Sequence, residues 1–161
     1  MEQELKNNKL ELNPWEFDQS PHGWREVLQV EGFEKAAELI IYYIFINKEK
    51  ILNPKPGEKT VSLELMYFHI GQMLAMDGKK ESIEYFNKSF GKNSPCWNAY
   101  VDATIGFLEQ DQDRIKKSIE VIESSSSEEK FSGNIEIVKN FLKALQEGVT
   151  DCGTVYSMPR G

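Results

Sequence analysis

The sequence predicts an all-helical protein, and three observations carry that prediction. Apolar residues recur three and four positions apart through most of the chain. The breaks between these stretches hold the glycines and prolines. The alternation that marks a strand is essentially absent, apart from a short tail segment, Thr154 to Met158, that reads as extended. A chain of 161 residues can bury enough surface to fold as one domain without a disulfide or metal. Hydrophobic residues at 40% and charged residues at 28% lie in the ordinary globular range, which argues against disorder.

Residues 1–19 are polar and read as an N-terminal arm, with Asn13-Pro14 as a helix breaker and Trp15 and Phe17 tucking against the body. Ser20-Pro21 reads as a helix start, because Ser can accept a bond from a free amide and Pro at the first helical position loses nothing. Trp24, Val27 and Leu28 give that helix its apolar face. Gly32 interrupts, and from Phe33 to about Lys50 the spacing predicts a long helix whose run Leu39 to Ile46, LIIYYIFI, reads as buried. Asn53 to Lys59 holds two prolines and a glycine and is the clearest loop. Helical spacing resumes from Leu63 to Asp77-Gly78, then from Lys80 to Phe90, where Ile83, Phe86 and Phe90 share a face. Two further helices, Pro95 to Glu109 and Asp111 to Glu123, are joined by a polar turn. The run Ser124 to Lys130 reads as a solvated linker, with a phosphorylation patch as the functional alternative. A last helix, Ile135 to Gln146, precedes a tail over 148–161. About seven helices result, within a helical domain spanning 20–147.

A net charge of -7 opposes phosphate backbones and anionic lipid, so nucleic acid and membrane surfaces are poor partners. No apolar run is long enough to cross a bilayer. The N-terminus lacks the pattern of a secretory signal, which points to the cytoplasm, or to the periplasm or exterior if a leader has been removed. Cys96 and Cys152 are too few for a disulfide framework and fit no zinc spacing, and no cofactor is implied.

Short alternating helices prompt a search for repeats. In Glu64 to Pro95, Tyr67 stands as an aromatic, Ile70-Gly71 as a large-small pair, Gly78 in the turn, Ser82-Ile83-Glu84-Tyr85-Phe86 in the second helix and Pro95 at the close. This stretch resembles a tetratricopeptide repeat, a helix pair of about thirty-four residues. A fainter copy surrounds Trp24 and Gly32 to Glu38. Another has Trp97 at the aromatic position, Val101 where glycine is expected and Ser118 in the small position. The resemblance covers roughly residues 21–124. It implies antiparallel helix pairs stacked as a short TPR-like α-solenoid, with a C-terminal capping helix from Ile135. SPHGW (Ser20 to Trp24), FHIGQMLA (Phe68 to Ala75) and WNAYVDATIGFLEQD (Trp97 to Asp111) are also similar to a group of bacterial proteins without an assigned activity, which implies a bacterial source.

The candidate chemistry is sparse. His69 has Met73 and Leu65 four residues to either side, so its own helix offers no metal partner, and it reads as structural. His22 reads as a capping or surface residue. Cys96 lies in the first turn of its helix, where the dipole favours a thiolate, but no base is identifiable beside it. Stacked helix pairs create a concave surface, and the resemblance puts groove positions at Leu65, Phe68, Gln72, Ala75, Asn98, Asp102 and Ile105. That groove lacks the basic residues that would hold a terminal carboxylate, so it would take an apolar or basic peptide or helix; filling by the chain's own termini is the competing reading. The leading function is therefore a noncatalytic protein-protein interaction module. The alternatives are a small hydrolase or thiol enzyme using Cys96 and His69, with Asp102 converging on them, and a homo-oligomer formed through the LIIYYIFI helix. Tight packing at Gly71 predicts that Gly71→Leu lowers the unfolding free energy by more than ~2 kcal/mol in urea titration, because an inserted side chain forces the helices apart.

Overall fold

In the computed structural model, which describes residues 7–125 and 132–159, Asn13-Pro14 starts a helix instead of breaking one. Residues 7–10 are also helical. Helix α1 spans Pro14–Gln19; the Asn13 side chain accepts from the Glu16 amide at 2.9 Å, and Pro14 occupies a first-turn position where no amide is needed. Ser20 closes α1 through its own amide, so Ser20-Pro21 ends one helix and does not open the next. Helix α2, Trp24–Glu31, begins after Gly23. Only glycine fits there, because a Cβ would stand 1.8 Å from the Phe17 carbonyl oxygen. Gly32 then separates α2 from α3, Phe33–Leu52, close to the expected bounds.

Helix α3 departs from helical geometry once, at Asn47 (φ -106, ψ 15), whose buried amide donates to the Leu10 carbonyl at 3.3 Å. The expected loop follows, with residues 53–60 all exposed. Ser62 caps α4, Leu63–Met76, by accepting from the Leu65 amide. Next come α5, Ser82–Lys88; α6, Pro95–Leu108; α7, Gln112–Ser124; α8, Ser132–Gln146; and α9, Cys152–Ser157. The tail expected to be extended is thus helical, because Asp151 caps α9 by accepting from both the amide and the hydroxyl of Thr154 at 2.7 Å. No strand occurs among the described residues, which hold nine helices after residue 13. Of the Ser-Glu run, the part from 126 onward lies outside the described residues, as does the N-terminal hexapeptide.

The chain divides into two compact units, Met1–Tyr85 and Phe86–Gly161, with the border inside α5. Hydrophobic spacing marks each helix but does not say which helices share a core. In the first unit α3 packs against α2 and α4, and α1 lies on α3. Phe17, Trp24, Ile40, Tyr43, Met66 and Ile70 form the centre of its core. From residue 7 onward the expected arm is built in: Phe17 stacks on Tyr43 with ring centroids 3.7 Å apart, and the Tyr43 hydroxyl donates to the Leu12 carbonyl at 2.6 Å. Trp15 is half-buried beneath the Lys59 ammonium.

In the second unit α6 pairs with α7 and both meet α8. Gly106 permits the close approach of α6 to α7, since a Cβ there would lie 3.2 Å from Ile115 and 3.3 Å from Arg114. Phe107 stacks on Phe141 of α8, and Tyr156 of α9 meets Phe141 edge-on. One turn recurs after α4, α6 and α8. In each, an amide five residues on donates to the same kind of carbonyl at 2.8 Å: Lys79 to Leu74, Asp111 to Gly106, Val149 to Ala144. The residue before each of these amides is left-handed: Gly78 (φ 71), Gln110 (φ 59) and Gly148 (φ 77). Gln110 is the one of the three with a side chain to strain. Gln110→Gly is expected to raise the unfolding free energy by about 1 kcal/mol, read as a higher urea midpoint.

Candidate functional site

Asp18 is an acidic residue in the last turn of α1, at the negative end of the helix dipole, and its side chain is 0% exposed. A carboxylate in that position persists only if donors surround it. Three do so. His69 of α4 lies with Nδ1 2.8 Å from Oδ1, Trp24 of α2 points Nε1 at the same oxygen from 3.4 Å, and the Gln19 side-chain Nε2 donates to Oδ2 at 2.6 Å. Arg25 donates to the Asp18 backbone carbonyl and lays its guanidinium 4.2 Å from the centre of the Trp24 ring. Burial pushes the Arg25 pKa down, and the Asp18 charge partly offsets this. Residues from α1, α2 and α4 thus converge on one carboxyl group. Such a pair orients an imidazole, and in an enzyme the same geometry prepares a general base.

The expected enzyme constellation assigns its members differently. His69 takes Asp18 as its carboxylate, whereas Asp102 accepts from the Arg114 guanidinium at 2.7 and 2.9 Å. His69 belongs to the first unit, and Cys96 and Asp102 to the second. Cys96 is buried at the start of α6. Cys152 is buried too, and desolvation pushes its thiol up to about 12, so it is a poor nucleophile. His22 is exposed in the turn before α2. Among the described residues no three His, Cys, Asp or Glu side chains gather as a metal site requires, and no helix is long and apolar enough to cross a membrane.

The seven groove positions have divided fates. Phe68 and Ile105 are 3% and 1% exposed and present almost nothing to a ligand. Asn98 uses both ends of its amide on the Gly91 backbone, accepting at 2.8 Å and donating at 2.9 Å, which holds the loop before α6. Asp102 is gripped by Arg114. Leu65, Gln72 and Ala75 are half-buried on α4.

A different surface is open. Leu39, Ile40, Tyr43 and Ile44 of α3 are buried, but Ile41, Tyr42, Phe45 and Ile46 are exposed, Phe45 to 80% and Tyr42 to 53%. Successive pairs on an α-helix fall three or four residues apart, so these four side chains form one outward apolar patch, which Leu52 extends past the Asn47 kink. Glu34 and Glu38 flank it on the N-terminal side, and Lys48, Glu49 and Lys50 on the C-terminal side, all exposed.

No family model, curated protein or solved structure matches this chain.

Sequence reasoning missed Asp18, which looks like one more acid in a polar segment. The one available signal was its place near the end of a helix, and that helix was itself hidden by Asn13-Pro14. Asp18→Ala leaves the His69 and Trp24 donors facing an apolar wall, and the expected loss is about 2–4 kcal/mol in urea-induced unfolding. An unchanged midpoint would remove Asp18 from the interactions that hold α1, α2 and α4 together.

Proposed function

We propose that this chain is a noncatalytic protein-interaction module of the bacterial cytoplasm, built as a short TPR-like α-solenoid with α8 as its capping helix, and that it binds through the outward face of α3. The observation that carries the reading is the patch of Ile41, Tyr42, Phe45 and Ile46, large side chains left in water on a helix whose opposite face is core. Contiguous exposed apolar surface of this kind marks contact sites, and aromatic residues supply most of the energy in such contacts. The tetratricopeptide-like part of the reading is supported by the turn shared after α4, α6 and α8, by the close approach at Gly106, and by the burial of Gly71 and Ser82.

The partner is a protein surface or helix that is apolar, or apolar with basic residues, since the chain is acidic overall. Nucleic acid and anionic membrane are disfavoured by the same charge.

The test compares immobilised wild type with Phe45→Glu, both shown to melt at the same temperature, in quantitative pull-downs from bacterial extract followed by titration of the purified pair. A protein held by the wild type and bound at least roughly tenfold more weakly by Phe45→Glu is expected. Equal binding to both baits, or loss confined to variants of Leu65, Gln72 and Ala75, would move the contact off α3.

A further inference from the structure

We propose that Lys9, Leu10 and Leu12 occupy a peptide-binding groove between α2 and α3 as a ligand supplied by the chain itself, and that the groove takes a segment of the same chemistry from another protein: a base, an apolar residue, any residue, and a second apolar residue. This surface lies on the enclosed side of α3 and is independent of the outward face. Tyr43 and Asn47 stand one helical turn apart there, both buried. Each donates to a main-chain carbonyl of the N-terminal segment, Tyr43 to Leu12 at 2.6 Å and Asn47 to Leu10 at 3.3 Å. Bonds to the main chain hold a segment whatever its sequence, and side-chain slots then select it. Glu26 of α2 supplies the first slot. It pairs with the Lys9 ammonium, and the Lys9 side chain is only 11% exposed, which is rare for a lysine. Leu10 and Leu12 pack half-buried against the core, whereas Glu11 between them is exposed.

The segment ends where a helix can begin without it. Asn13 caps α1 by accepting from the Glu16 amide, and Pro14 has no amide to satisfy, so the start of α1 stays complete when residues 7–12 leave. Helix α1 keeps its own hold on the core through Phe17 and Asp18. The Tyr43 and Asn47 donors then meet water in the vacated groove instead of remaining buried and unpaired. Tethered at Asn13, the segment faces the groove at an effective concentration on the order of millimolar. A free peptide of equal intrinsic affinity is therefore excluded at micromolar concentration, and the bound segment sets a threshold that a tighter partner must overcome.

Fluorescence anisotropy with a labelled synthetic peptide of residues 7–12 tests the proposal on the full chain, with circular dichroism melts on every variant. The double variant Leu10→Glu, Leu12→Glu sets two charges against the apolar slots and empties the groove. It is expected to melt cooperatively and to bind the peptide at least roughly tenfold more tightly than the wild type does. The milder Lys9→Glu, which sets two acids together at the rim, should bind it with an intermediate constant. Adding Glu26→Lys to the double variant should weaken its binding roughly tenfold and reverse its preference, so that a peptide with Lys9→Glu is held better than the unchanged one. Folded variants that bind no better than the wild type, or binding that ignores Glu26→Lys, overturn the groove. Loss of the cooperative melt in the double variant makes residues 9–12 part of the fold and overturns the proposal as well.

Discussion

The first unit depends on one carboxyl group, that of Asp18, enclosed by protein. Removing a carboxylate from solvent is expensive, and the expense is recovered only by donors placed within hydrogen-bond reach. Around Asp18 those donors come from Gln19 on its own helix, Trp24 on the next and His69 on a helix much further along the chain. Apolar contacts tolerate sliding by a fraction of a residue; a carboxylate facing an imidazole and an indole does not. The corner between α1 and α2 is tight in the same region: Gly23 has no room for a Cβ, and Phe17 stacks closely on Tyr43. The buried polar cluster fixes the positions, and the aromatic core fills the space those positions define.

Helix α3 shows the opposite economy on its two sides. Its inner face is committed to core, with Ile40 and Tyr43 fully enclosed. Its outer face carries side chains of the same type that stand exposed among the described residues. A helix apolar all round is ordinarily buried all round. The Asn47 departure from helical geometry, held by the Leu10 carbonyl, turns the last stretch of the helix while its inner side stays anchored at Ile51.

Much of the fold is legible in the sequence. Helices α3, α4, α6, α7 and α8 follow from strong three-four spacing between unmistakable breaks, and the loop after α3 follows from its prolines and glycine. The readings that failed share a cause. Asn13-Pro14, Ser20-Pro21 and the tail after Asp151 are short segments in which the same residues can open or close a helix, and tertiary contacts decide between them: Phe17 docking on Tyr43 in one case, Tyr156 meeting Phe141 of α8 in another. The site was less legible. The run LIIYYIFI announced a helix with too much apolar surface, but which four of its side chains face outward depends on where α2 and α4 lie. Asn98 and Asp102 looked like groove polar groups because the repeat resemblance puts groove positions there, yet Gly91 and Arg114 engage both. A backbone loop in need of a cap and an arginine from a neighbouring helix leave no trace in spacing.

The link between Asp18 and His69 joins residues 51 apart in the chain. During synthesis from the N-terminus, α1 and α2 emerge while α4 is still unmade, so the carboxylate has only Gln19 and Trp24 for company and remains hydrated. Helices α2 and α3 can pair as neighbours from the moment they leave the ribosome, since contacts close in sequence form fastest. The N-terminal segment cannot be sealed until the residues of α4 have followed through the exit tunnel. Full enclosure of the Asp18 carboxyl therefore waits on α4, and surface left open in the meantime is within reach of chaperones.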